Sequence, residues 1–558
     1  MTDQAGGMPS RLRQVAFSTA LVMVIFGTTK LISLVQTFII ARYFGVGREL
    51  DAYVTANRVP ELIVVLISGG ALGHAFIPIF SGYLARQDRD GAWRLASMVI
   101  NAVLTAALLI SGVVFVLTPW LVPNIIAPGF APATTEQTIV LMRILLLGTI
   151  IFSISGIFSG ILQSHNHFLL PALAPIMYDI GILFGVVVLL QPFGLEGVAV
   201  GTVLGAAMHL LIQVPGLVRH RMRWQPIFEF GDPQLRTVVK RMIPRILGLG
   251  VFQMNFLVMT NIASRLGEGA VSAFDWGWRL MQIPQTLIGT AMGIVIFPTL
   301  AALSATGDDN GKRLAMSSAL RFILVASIPS AIGLIVVGQP LVSLLEGGAF
   351  DATASALVYS TLRAFTLGLI VHSMLEVVAR SFYADGDTYT PLWAALVGAA
   401  VNLVLSFTLS GVAVADAQAV YRLAQSQIEF TATEPIIGNV SGLALANSLG
   451  TAVEVGILLV LLRLRWHGIE EGTLAATTVR ALAASLVMAL VLALMQFGWV
   501  MLGIAGRGTI ITALLLGAEV VVGAGVFFGA GWLLGMQELR LLVQLLRERL
   551  VRRTVAIA

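Results

Sequence analysis

The chain has 558 residues, of which 57% are hydrophobic and only 11% charged, with a mean hydropathy of +0.90. That composition excludes an ordinary soluble domain and marks a polytopic membrane protein. The net charge of +5 does not point to nucleic acid, because Lys and Arg stand at the ends of apolar segments rather than on one basic face, and the lack of cysteine removes disulfides and thiolate metal sites.

Apolar stretches of about 20 residues or more predict an all-α fold of about fourteen transmembrane helices. They fall near 15–44, 51–84, 92–121, 135–164, 169–191, 196–218, 235–265, 270–303, 314–345, 351–384, 388–412, 438–465, 476–502 and 508–536. The N-terminal stretch lacks a short apolar core followed by a small-residue cleavage site, so the first segment reads as a retained span. Basic residues crowd alternate connections, among them Arg86, Arg89 and Arg94, then Arg219 to Arg241, then Lys312 and Arg313, then Arg463 and Arg465. Because Lys and Arg are retained on the cytoplasmic side of short loops, both termini are expected in the cytoplasm. The insertion at 412–437 reads equally as a short amphipathic surface helix or a flexible loop. The stretch Glu538–Arg553 alternates Leu with Arg and suits a helix lying on an anionic leaflet.

The sequence also repeats itself at an offset of about 220 residues. Ala52, Tyr53, Arg58 and Phe76 fall on Ala273, Phe274, Arg279 and Phe297, and Arg143, Gly148, Ser153 and Pro171 fall on Arg363, Gly368, Ser373 and Pro391. Six helices per copy make the repeat parallel, so two lobes related by an axis along the membrane normal are expected, with substrate between them. The expected organisation is an N-terminal lobe at 1–222, a C-terminal lobe at 235–466, two additional transmembrane helices at 476–536 and a basic cytoplasmic tail at 538–558.

An ionised side chain near mid-bilayer costs roughly 2.5–3.5 kcal/mol on insertion scales, so each one needs a partner, water or a role. Lys30 lies midway along the first expected helix. Arg58 is followed at once by Val59–Pro60, and Arg279 by Pro284, so both arginines occupy helices whose backbone bonding is interrupted nearby. Three cations on the first, second and eighth helices suit an anionic substrate, with guanidinium matching phosphate oxygens as a fork; ion pairing with Asp51 and Asp275 is the competing reading. His372 and Glu376, one turn apart, suit a proton relay, a metal site or an internal pair. Two ligands without a third do not make a metal centre, and no metal or cofactor is expected. No phosphate-binding loop and no kinase or hydrolase motif is present, so transport is expected rather than catalysis.

The stretches ARYFGVGRELDAYVTANRVPEL with GGALGHAFIPIFSGYL, QMNFLVMTNIASRLGEGAVSAFDWGWRLMQIPQTLIGTAMGIVIFPTL, and ARSFYADGDTYTPL resemble the MurJ/MviN lipid II flippases of the multidrug, oligosaccharidyl-lipid and polysaccharide exporter superfamily, in order over about residues 12–465. The resemblance implies a two-lobed transporter in a bacterial plasma (inner) membrane that carries a polyprenyl-diphosphate-linked glycan, most simply lipid II, from inner to outer leaflet for peptidoglycan synthesis by alternating access. Its partners would be that lipid-linked anionic glycan, membrane lipids and a coupling cation or proton. It places Lys30, Asp51, Arg58 and Arg279 on charged family positions. It also departs from the family at Gln36, Val64, Val65, Gly69, Met259 and Gln282, where basic or acidic residues are usual, so a less basic cavity is implied. The alternatives are a polysaccharide repeat-unit flippase or drug/cation antiporter on the same fold, or a non-transporting membrane scaffold.

Overall fold

The structure is a computed structural model, and it describes residues 32–33, 35–67, 71–411, 440–504, 508–540 and 544. Lys30, the insertion at 412–437 and most of the C-terminal basic stretch lie outside the described residues. Within them the regular structure is helical, and the β pairing is confined to one bridge between Gly347 and Phe350.

The helices in chain order are α1 (35–44), α2 (Arg48–Ile67), α3 (Ala71–Ala85), α4 (Arg89–Leu121), α5 (Pro132–Ser164), α6 (Leu169–Phe184), α7 (Leu190–Leu211), α8 (Val214–Arg219), α9 (Pro233–Ser264), α10 (Ala270–Gln285), α11 (Ala291–Ala305), α12 (Asp309–Ser343), α13 (Ala352–Ala384), α14 (Tyr389–Leu409), α15 (Val440–Arg465), α16 (Glu471–Met501) and α17 (Thr509–Leu533). Single π-helical turns follow α4, α6 and α10, at Val122–Ile126, Gly185–Leu189 and Thr286–Thr290.

Among the described residues eleven helical stretches are long and apolar enough to cross a membrane. One of them, Leu169–Arg219, has 51 residues. Straight, it would reach roughly 75 Å at 1.5 Å per residue, far beyond a hydrocarbon core of about 30 Å. It turns back at Gly194, whose φ of +59° and ψ of −149° lie where a side chain is strained. The arms on either side then pack through facing glycines. A Cβ on Gly181 would strike the backbone of Gly205, and one on Gly201 the backbone of Gly185. This is the small-residue packing that lets membrane helices approach without a hydrophobic driving force. The stretch therefore makes the two passes expected at 169–191 and 196–218.

The second expected helix is described in two parts, α2 and α3, each with a proline inside, Pro60 and Pro78, and residues 68–70 between them lie outside the described residues. At the repeat-equivalent place, α10 and α11 are joined by the π-turn Thr286–Thr290, just beyond Pro284.

The chain separates into two compact units, Met1–Asn261 and Ile262–Ala558, with the boundary inside α9. In the first unit α5 packs against α2, α4 and α7, and α6 against α7. Aromatic packing of Phe80 on Phe76 and Trp93, at ring-centroid distances of 5.1 and 5.7 Å, closes one end. In the second unit α13 is central, flanked by α10, α12 and α15, with α14 against α15. Its core includes Ile323, Val378, Phe382 and Leu458. The two further helices α16 and α17 join through Met488, Leu492 and Phe527, packing on Leu324 and Ile328 of α12.

Local structure repeats between the units. The Asp88 carboxylate accepts from the Gly91 amide at 2.9 Å to cap α4, and Asp308 accepts from the Gly311 amide at 2.8 Å to cap α12. Buried Ser153 and Ser373 each donate to the carbonyl four residues earlier, at 2.8 and 2.7 Å.

The glycine seam gives a direct test. Gly201→Leu forces side-chain volume into a backbone-to-backbone contact, an overpacking expected to cost about 1–3 kcal/mol or more. The variant should melt earlier than wild type in detergent and show aggregated material on size exclusion, whereas Gly112→Leu, which meets nothing within 4 Å, should behave as wild type.

Candidate functional site

In the first unit α2 carries Asp51 and Arg58, seven residues apart and so two turns along one helical face. Asp51 is 1% exposed in the first turn, while Arg58 is half-buried with its guanidinium carbon 5.5 Å from the centre of the Phe256 ring of α9. Such a stacking holds a cation in apolar surroundings for about 0.5–2 kcal/mol. Tyr53, on the same helix, shares a hydrogen bond of 2.8 Å with Thr202 of α7. Gln36 is half-buried on α1. Nearby on the sequence, Ser33 donates to the Asp179 carboxylate of α6 at 2.8 Å, which accounts for one intramembrane acid.

In the second unit the corresponding helix α10 carries Asp275 and Arg279. Arg279 donates from Nε to Asp275 Oδ2 at 2.5 Å, with the aspartate side chain 9% exposed and the arginine 62% exposed. The sequence posed anion binding against ion pairing for this arginine. The structure shows the ion pair, with the Asp275 carboxylate accepting from the guanidinium Nε while the arginine side chain stays exposed. Gln282, a further turn along, is exposed on the same face.

His372 and Glu376 do not form a pair with each other. His372 is buried and lies within 3.1 Å of Asn447 Oδ1 and 3.4 Å of the Thr451 hydroxyl, with the Trp278 ring edge-on at 5.2 Å. Glu376 instead accepts from Arg380 at 3.0 Å and from Thr290, in the π-turn, at 3.4 Å. The reason is that a histidine and a glutamate one turn apart share a helix face but have different neighbouring helices, and each takes the polar partner nearest its own tip. Among the described residues no group of three His, Cys, Asp or Glu has the arrangement of a metal site.

Sequence reasoning missed three polar groupings. The first is a buried knot in the first unit. His209 Nδ1 lies 2.7 Å from the Ser155 hydroxyl, and Gln213 donates to Ser155 at 2.8 Å and accepts from Ser159 at 2.8 Å.

The other two sit at equivalent places after the fourth helix of each repeat copy. In the second unit Lys312 bonds Asp385 at 2.9 Å, and Arg465 reaches Asp387 at 2.9 Å and Asp385 at 3.6 Å. Burial alone would push the Asp385 carboxyl up, but hydrogen bonds from Ser304 and Lys312 and the charges of Lys312 and Arg465 hold it below the usual carboxylate range. Asp387 is likewise held down, against burial, by Thr390 and Arg465. The first unit places His165 and His167 at the matching positions. Both rings meet His220, at centroid distances of 4.3 and 5.8 Å, and His165 stacks on Trp93 at 5.9 Å. His167 and His220 lie below the ordinary histidine value, first because burial penalises the charged ring, then because Arg219 and, for His220, the neighbouring histidines repel a proton. The signal was present in the offset that joins Pro171 to Pro391, which aligns the two histidines with the two aspartates.

The family model described as lipid II flippase MurJ matches residues 40–507. The chain belongs to the MurJ lipid II flippase family. A protein named lipid II flippase MurJ from Burkholderia cenocepacia is 27% identical over 521 residues, covering 91% of this chain and 95% of its own length. A probable lipid II flippase MurJ from Rhizobium meliloti is 30% identical over 407 residues, covering 70% of this chain and 75% of its own. The fold is similar to a lipid II flippase MurJ in an inward closed conformation, with a TM-score of 0.71 at 21% identity over 91% of this chain and 99% of that one. It is also similar to an inward-facing multidrug resistance MATE family transporter of the MOP superfamily, with a TM-score of 0.64 at 16% identity over 79% of this chain and 96% of that one. The sequence resemblance to this family, and the all-α polytopic fold expected with it, are thus found in the protein.

The two junctions predict opposite responses to acid. A histidine whose folded pKa is depressed keeps its neutral ring above the ordinary value of 6.5, and the junction loses stability as pH falls through that value, because the opened state binds the extra proton. Depressed aspartates contribute above their ordinary value of 3.8 and lose that contribution only at lower pH. Hydrogen-exchange protection, corrected for intrinsic rate, should therefore fall between pH 7.5 and 5.5 in peptides covering 164–168 and 219–222, and stay constant in peptides covering 384–388.

Proposed function

We propose that this chain flips lipid II, or a closely related polyprenyl-diphosphate-linked glycan, from the inner to the outer leaflet of a bacterial inner membrane by alternating access of its two repeat lobes, 1–222 and 235–466. The family match over residues 40–507 favours this reading over a polysaccharide repeat-unit flippase, a drug antiporter or a scaffold. The observation that carries the site reading is Arg279, which is anchored by Asp275 on a helix long and apolar enough to cross a membrane and yet has a side chain 62% exposed. An exposed cation on such a helix is stabilised by water or an anionic ligand beside it.

In this reading Arg58 and Arg279 supply forked donors to the diphosphate and Lys30 a third cation. Asp275 fixes the orientation of Arg279, and Asp51 is the acid of the α2 end of the site. Gln36 and Gln282 offer neutral hydrogen bonds where the family commonly has charge, and His372 and Glu376, already engaged with Asn447 and Arg380, act as positioning groups for the helix behind the site. The chain is a transporter and not an enzyme: it forms and breaks no covalent bond and needs no cofactor. Moving a substrate charge through a 100 mV potential is worth about 2.3 kcal/mol, enough to bias the cycle without ATP; a proton or cation gradient is the other source. The alternation of basic loops supports cytoplasmic termini.

Arg279→Ala should abolish growth rescue in cells depleted of their own flippase, and Arg58→Ala and Lys30→Ala should weaken it severely, all at wild-type membrane abundance by immunoblot. Arg279→Lys, which keeps the charge and loses the fork, should rescue partially. Normal rescue by Arg279→Ala would show that this arginine does not bind the diphosphate.

A further inference from the structure

Between α8 and α9 the chain runs without helix over residues 222–229, and this stretch is bolted to α4 by two polar residues buried in an otherwise apolar helix. Asn101, 1% exposed, donates to the carbonyls of Gln225 and Ile227 at 3.0 and 2.9 Å and accepts from the Trp224 indole at 2.9 Å. Ser97, also 1% exposed, accepts from the Gln225 amide at 3.0 Å, and Arg94 pairs with Glu229 at 2.6 Å. The backbone of Gln225 and Ile227 is thereby held against α4. Its large side chains are left outside: Trp224, Phe228 and Phe230 are 53%, 58% and 53% exposed.

The surroundings of those rings identify what covers them. Upstream are exposed Arg219, Arg221 and Arg223; downstream are exposed Arg236 and Lys240. The local acids are already committed, Glu229 to Arg94 and Asp232 to the Gln234 amide that opens α9. The strap lies between one stretch able to span a membrane, which ends at Arg219, and the next, which begins at Ile246 within α9, so it stands outside the apolar spans. An indole with its N–H satisfied inward and its ring turned out, beside two phenylalanines and flanking arginines, is the composition of an interfacial anchor.

We propose that residues 219–230 form a docking surface for anionic phospholipid headgroups, with the arginines on the phosphates and the three rings in the boundary layer. This surface is separate from the membrane-embedded cations of α2 and α10, and does not depend on which lipid-linked substrate is carried. Its role is to bind preferentially the acidic lipids of the leaflet it faces, thereby fixing the end of α4 relative to the membrane.

The test uses the full-length protein in nanodiscs of phosphatidylcholine containing brominated phosphatidylglycerol or brominated phosphatidylcholine at equal mole fraction. Trp224 emission is isolated as the difference between wild type and Trp224→Phe. Brominated phosphatidylglycerol should quench Trp224 about threefold more strongly than brominated phosphatidylcholine, since each interfacial arginine favours an anionic headgroup severalfold. The double variant Arg221→Gln/Arg223→Gln should equalise the two lipids, and Asn101→Ala, which unbolts the strap while leaving its arginines and rings in place, should reduce the contrast. Size exclusion and thermal melting of each variant confirm folding. Equal quenching by both lipids in wild type, no quenching by either, as for a ring covered by a protein partner, or an unchanged preference in Arg221→Gln/Arg223→Gln would each overturn the proposal.

Discussion

The cost of carrying charge and bare backbone into hydrocarbon shapes every part of this protein. Each unsatisfied backbone group in lipid costs several kcal/mol, and the described membrane-crossing stretches meet this by being helical, with π-turns only as single turns at or between helix ends. Ionised side chains obey the same constraint. Asp179 takes a hydroxyl from Ser33, Glu376 takes Arg380 and Thr290, and Arg58 lies over the Phe256 ring. What distinguishes Arg279 is that its side chain stays largely exposed beside its carboxylate partner. An ion pair with an arginine 62% exposed is screened and worth at most about 1 kcal/mol, so Asp275 is better understood as setting the direction of the guanidinium than as stabilising the fold.

Much of this was readable before any coordinates. The repeat that links Arg58 to Arg279 places both on corresponding helices, and the Asp275–Arg279 pair has the spacing of one helical turn. The helical hairpin was also legible in principle: Gly181 and Gly185 face Gly205 and Gly201, each pair four residues apart, around a glycine at 194. Residue spacing alone shows which side chains share a face, and this is where reading stops. His372 and Glu376 share one, yet the groups that engage them come from Asn447 on α15 and from the π-turn at Thr290, and no periodicity within α13 points to either. The buried Asn101 was silent for the same reason, because its partners lie more than a hundred residues away in a stretch without regular structure.

The two junctions after the fourth helix of each copy show how duplication separates geometry from chemistry. Both turns leave their helix in the same way, through Asn166 at φ +58° in one and Gly386 at φ +74° in the other. Around the second, two aspartates meet a lysine and an arginine, a network whose charges persist across the physiological range. Around the first, three imidazoles meet with arginine nearby, and nothing anionic among these contacts repays a proton. Opposite charges tighten as solvent is excluded, whereas like groups tighten only while neutral. The same backbone thus holds a fixed clamp in one unit and a clamp that depends on neutral histidine in the other. The titratable version also contains His220, the residue that directly follows Arg219 of the basic strap, so the neutral clamp and the basic surface share one stretch of chain.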